Sequence, residues 1–187
     1  MINNPVTLFM RLLWVLFLFP IVTFGDQTDN RLDELFATLQ NNTSVVVQHE
    51  TIQTIWKIWY ESGREETNKL MEEGGEAVLS GQLEKAESIY TQIIENSPEF
   101  SEGWNRRATV RYHRRDYAGS LDDINKTLAL EPRHFGAIWG RGMILGLQRD
   151  YQGAIQAFNQ MLQIAPYSED AKRRIELLEK EIRKKTA

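Results

Sequence analysis

Four columns of residues recur along this chain at an interval of 34. Proline returns at 98, 132 and 166; a small residue at Ala86, Ser120 and Ala154; a bulky apolar one at Tyr90, Ile124 and Phe158; and a second small one at Gly74, Ala108 and Gly142. A unit of this length cannot bury its own apolar face, so it must stack on neighbouring copies. Spacings of three and four within each unit describe amphipathic helices. The two small residues let a first and a second helix approach closely, and the bulky residue fills the groove between them. The proline follows the second helix, cannot continue it, and sets the turn into the next unit. Gly81 marks the turn inside the first unit; Arg115-Asp116 and Arg149-Asp150 occupy the same turn in the next two, each followed by a tyrosine, Tyr117 and Tyr151. The chain is therefore expected to be all-α.

The columns resemble the tetratricopeptide repeat, whose pattern is W-x₂-L-G-x₂-Y, then A-x₃-F, then P. The first unit offers Leu70, Gly74, Ala77, Ala86, Tyr90 and Pro98; the second Trp104, Ala108, Arg111, Ser120, Ile124 and Pro132; the third Ile138, Gly142, Leu145, Ala154, Phe158 and Pro166. The match spans residues 67–166 and departs at Glu73, Arg107 and Arg141, where leucine is usual, and at Arg111, where an aromatic is usual. The resemblance implies a right-handed superhelical solenoid of antiparallel helix pairs, about three units with capping helices. The units are 67–100, 101–134 and 135–168. Residues 169–187 read as a C-terminal capping helix, with Ser168 as its cap and Ala171, Ile175, Leu178 and Ile182 as its apolar stripe. Residues 26–66 hold two more helices. Asp29 or Asn30 caps the first, which carries Leu32, Leu35, Phe36 and Leu39; the second carries Ile52, Ile55, Trp56 and Trp59, and Ser62-Gly63 ends it. Counting back 34 from Ala86, Tyr90 and Ile93 lands on Ile52, Trp56 and Trp59, so residues 30–63 read as a degenerate repeat or a capping pair.

Residues 1–25 differ from the rest: Arg11, an apolar run over 12–24, then Gly25 before the polar Asp26. This describes a signal peptide, or an N-terminal membrane anchor if it is retained. The expected location is the periplasm or cell envelope, with inner-membrane anchoring as the alternative. The whole chain is also similar to a group of exported, alphaproteobacterial proteins that join a signal peptide to three such repeats. Residues 32–36, 102–109 and 131–137 carry that likeness.

A formal net charge of −4 argues against a nucleic-acid partner. The absence of cysteine removes disulfides, thiolate metal sites and a cysteine nucleophile. His49, His113 and His134 lack metal-ligand spacing and read as surface or turn residues. No nucleophile with a base and an orienting group is in view, so neither an enzyme nor a cofactor is expected. The resemblance places the first helix of each unit on the concave face, where a protein or peptide partner lies. There the candidate residues are Asn105, Arg106, Thr109, Tyr112, Trp139 and Met143. Arg106, Arg107, Arg111, Arg114 and Arg115 face an acidic first unit: residues 61–102 carry eleven acidic side chains against three basic. Either the two sets neutralise each other across the unit interface, or the arginines receive carboxylates of a partner. The function expected is an exported scaffold that binds a partner in the groove of repeats 2 and 3. The alternative is a self-associating or membrane-tethered component of an envelope complex.

Overall fold

The computed structural model describes residues 26–186, and their regular structure is helical throughout. In chain order the helices are α1 (Arg31–Asn41), α2 (Val45–Tyr60), α3 (Glu65–Leu79), α4 (Leu83–Asn96), α5 (Ser101–His113), α6 (Tyr117–Leu130), α7 (Phe135–Leu147), α8 (Tyr151–Ile164) and α9 (Glu169–Thr186). Three units follow from the pairs α3/α4, α5/α6 and α7/α8. From α3 to α9 each helix packs on its successor, and α5 also touches α7.

The repeating columns form the core. Ala86, Ser120 and Ala154 are buried, as are Tyr90, Ile124 and Phe158. The two columns compensate each other in size. A Cβ on Gly74 would lie 2.7 Å from the Tyr90 ring, and one on Gly142 2.7 Å from the Phe158 ring. In the middle unit the bulky residue is the smaller Ile124, and its partner carries the extra methyl, Ala108. Ser120 satisfies its buried hydroxyl by donating to the Ala108 carbonyl at 2.7 Å.

Each unit turns through one left-handed residue: Gly81 at φ 71°, Arg115 at 65° and Arg149 at 65°. At all three turns the backbone N–H of that residue and of its successor reach back to the end of the first helix. Asp116 and Asp150 then cap the second helices by accepting from Gly119 and Gly153. Ser168 caps α9, accepting from the Ala171 N–H at 3.4 Å. At α1 it is the Asp29 carboxylate, not Asn30, that accepts from a helix N–H, that of Arg31 at 2.9 Å.

The N-terminal pair differs from the expectation. Residues 30–63 do form two helices, but they lie along the array rather than stacking on its end. Gln27 bonds Glu99 and Ser101, Arg133 pairs with Asp33, and Gln40 bonds the Gln163 carbonyl. The hairpin thus bridges from the start of the second unit to the end of the third. Leu32, Phe36, Leu39, Ile55, Ile58 and Trp59 share one core with Phe135, Ile138, Ala157 and Ile164. The repeat register explains the difference. Counted back 34, the two small positions fall on Gln40 and Ile52, and the proline on Arg64. Helices bearing such side chains cannot close as a repeat does. Gly63, at φ 69°, turns the chain out of α2 into α3 instead.

Candidate functional site

α2 runs through the N-terminal half of the inward face. Tyr60 donates to the Met71 carbonyl at 3.0 Å, and Ser62 bonds Asn68. Trp56 presses on Gly136, where a Cβ would sit 2.5 Å from its ring. Beneath these aromatics lies a buried polar cluster. Glu102, fully buried, pairs with Arg106 at 2.5 Å and His134 at 2.9 Å and accepts from Asn105 at 2.9 Å. Burial pushes the Glu102 carboxyl up, but the Arg106 charge and the His134 contact together outweigh it and hold the group below its ordinary 4.5. His134 is sandwiched: its Nδ1 accepts from the Ala137 N–H, and Trp59 stacks on its ring at 4.1 Å. His134 keeps the turn position expected of it, as the N-cap of α7, but the surface alternative is corrected: it is buried. Nothing in the sequence marks the contact, because it joins the first turn of α5 to the cap of α7 beneath a helix from outside the repeats.

Five of the six candidate residues converge in the other half of the face. Asn105, Thr109, Tyr112, Trp139 and Met143 line one open hollow of about 230 Å³, floored by Ile124. Thr109 is exposed and Tyr112, Trp139 and Met143 half-buried, while Asn105 is buried with its amide committed to Glu102. Arg106 is set apart. Its guanidinium lies 5.8 Å from the Trp56 ring centre and 5.2 Å from that of Tyr60, so it faces α2.

The remaining arginines are largely consumed inside the array. Arg107 makes two bonds to Asp123; Arg111 pairs with Glu87 at 2.9 Å and Asp123 at 3.1 Å; Arg114 pairs with Glu87 and Glu84. Burial pushes Glu87 up, yet the bonds from Arg111 and Arg114 leave it below its ordinary value. Neutralisation across the first interface therefore accounts for Arg111 and Arg114, Arg107 is neutralised by Asp123 within its own unit, and the hollow itself is mostly apolar. Among the described residues no group of acids and histidines is placed to hold a metal ion, and no helix is long and apolar enough to cross a membrane. The expected signal peptide or anchor, residues 1–25, lies outside the described residues.

A family model for the tetratricopeptide repeat matches residues 114–169. A repeat-containing protein of this kind from Rhizobium etli is 31% identical over 148 residues, covering 79% of this chain and 72% of that protein. Sperm-associated antigen 1 of Rattus norvegicus is 28% identical over 116 residues, 62% of this chain but 13% of its own length. Among solved structures, the Sgt2 repeat domain from Aspergillus fumigatus superposes with a TM-score of 0.61 at 22% identity, covering 66% of this chain and 83% of its own. The first repeat domain of Spaghetti (RPAP3), bound to an HSP90 peptide, superposes with a TM-score of 0.60 at 19% identity, covering 62% and 92%.

Proposed function

The chain belongs to the tetratricopeptide-repeat family, and from that premise we propose that it is an exported, non-catalytic adaptor holding a segment of a partner protein on the inward face of repeats 2 and 3. Domains of this fold serve as protein-interaction scaffolds; one structural neighbour carries an HSP90 peptide. The observation that carries the reading is the convergence of Thr109, Tyr112, Trp139 and Met143 on one open hollow. Half-buried aromatic side chains at the centre of a concavity are the type that anchors interfaces, and Met143 adapts to varied shapes. Export rests on the sequence of residues 1–25 alone.

The test places a photoreactive residue at exposed Thr109 in the native host. The expected result is one heterologous protein, its adduct mapped to this position and lost on Trp139→Ala. Adducts only with the chain itself overturn the adaptor in favour of self-assembly. Sequencing the mature N-terminus tests export: a start at Asp26 supports a free envelope protein, and an intact Met1 supports the tethered alternative.

A further inference from the structure

We propose that the segment this face receives is an amphipathic helix lying along α7, with two apolar side chains in two adjoining hollows and a carboxylate reaching Arg174. The inference rests on the groove reading above and gives the partner's chemistry.

The first hollow is the one floored by Ile124. The second, of about 260 Å³, lies beyond Met143, where Leu147, Leu177 and Leu178 bring α7 and α9 together. Met143 lines both, so the two adjoin at this side chain. Leu147 and Leu177 are about half exposed, at 52% and 51%, although the array has no need to show them to water. Each hollow has room for one large apolar side chain.

Two observations select a helix. An extended segment needs donors and acceptors for its own backbone, whereas the exposed lining of both hollows is mostly apolar and its polar groups are side-chain tips such as those of Tyr112, His113 and Arg174. A helix arrives with its backbone satisfied. The other half of the same inward face already seats one: α2 lies there against α5 and α7, its Trp56 on Gly136. The open lane continues that seat, and Gly140 and Gly146 keep its floor low. α2 itself is a fixed wall. Its hairpin buries six large apolar side chains in a core shared with α7 and α8, more apolar surface than a docked segment could replace.

The charge follows from Arg174. Its guanidinium sits 5.7 Å from the Trp139 ring centre, beside both hollows, and forms no ion pair among the described residues. Glu181, also on the second hollow, is paired with Lys184 at 2.6 Å. The lane therefore offers a free cation, and a partner carboxylate complements it.

The probe is an alanine-based helical peptide with two leucines one turn apart and a glutamate one turn further on, titrated into the full chain. The expected result is saturable binding with Trp139 emission shifted, weakened about tenfold or more by Thr109→Arg at unchanged circular dichroism. Replacing the peptide's glutamate by lysine should weaken binding, and Arg174→Glu should restore it. Equal affinity for a proline-interrupted version of the peptide overturns the helix and leaves the groove standing. Indifference to the charge swap overturns the role of Arg174. If neither peptide binds, the helix assignment is wrong, and the crosslink at Thr109 separately decides the groove reading.

Discussion

Gly74 and Gly75 are neighbours in sequence and opposites in physics. A methyl on Gly74 runs into the buried Tyr90 ring, whereas one on Gly75 meets nothing nearer than the Tyr60 hydroxyl at 3.5 Å. Gly74→Ala should cost about 1–3 kcal/mol, and Gly75→Ala should be neutral or gain up to about 1 kcal/mol from helix propensity; urea melts of the pair check this. Arg115 and Arg149 hold the left-handed position that Gly81 fills without strain. Replacing each with glycine should stabilise the fold by a few tenths to about 1 kcal/mol, and a loss on denaturation would contradict it. Glu102 supplies the pH dependence. Its pKa is lowered in the fold, so its contribution is complete above 4.5 and fades as pH falls below that value. Glu102→Ala should cost about 3–5 kcal/mol at neutral pH by stranding its buried partners. It should also flatten the acid limb of a stability–pH profile. The glycines and the turn residues are legible as columns of the repeat. The Glu102–His134 contact is not, because periodicity reports which residues share a role and says nothing of a pair between the start of α5 and the cap of α7 closed by a foreign helix.

At the scale of the element, the sequence sets the helices and their apolar faces but not the surface each face meets. The stripes of α1 and α2 read correctly: Leu32, Phe36, Leu39, Ile55 and Trp59 are all buried. Their docking site escaped because Ile52, Trp56 and Trp59 fall in the repeat register by spacing, while the small residues that make the register work are missing. Of the groove residues, Thr109, Tyr112, Trp139 and Met143 share a wall because the register fixes which side of α5 and α7 turns inward. Arg106 is inward too, but α2 covers it. The hairpin should consequently behave as part of the third unit. Leu39→Ala, at a fully buried site against α8, should cost about 2–5 kcal/mol. Native-state hydrogen exchange should show the amides of α1 and α8 losing protection together; independent opening of α1 would contradict the shared core.

For the whole molecule, the bridge changes how the fold comes apart. A plain repeat array contacts only nearest neighbours, so its stability is a sum of units and interfaces, and its ends fray. Here contacts at Gln27, Asp33 and Gln40 tie the N-terminal segment to the start and the end of the second unit and to the end of the last. Residues from α7 and α8 complete the core of α1 and α2. Such cross-links couple the units, so the chain should unfold in a single transition with equal calorimetric and van't Hoff enthalpies. Without residues 1–60, Phe135, Ile138 and Ile164 would meet water and Glu102 and His134 would lose the cover of Trp59. The fragment 61–187 should melt lower and over a broader range, with the third unit released first. Calorimetry of the two forms measures this directly. An unchanged melting temperature would mean that the hairpin is only an attachment, and that the stacked repeats alone set the stability of the molecule.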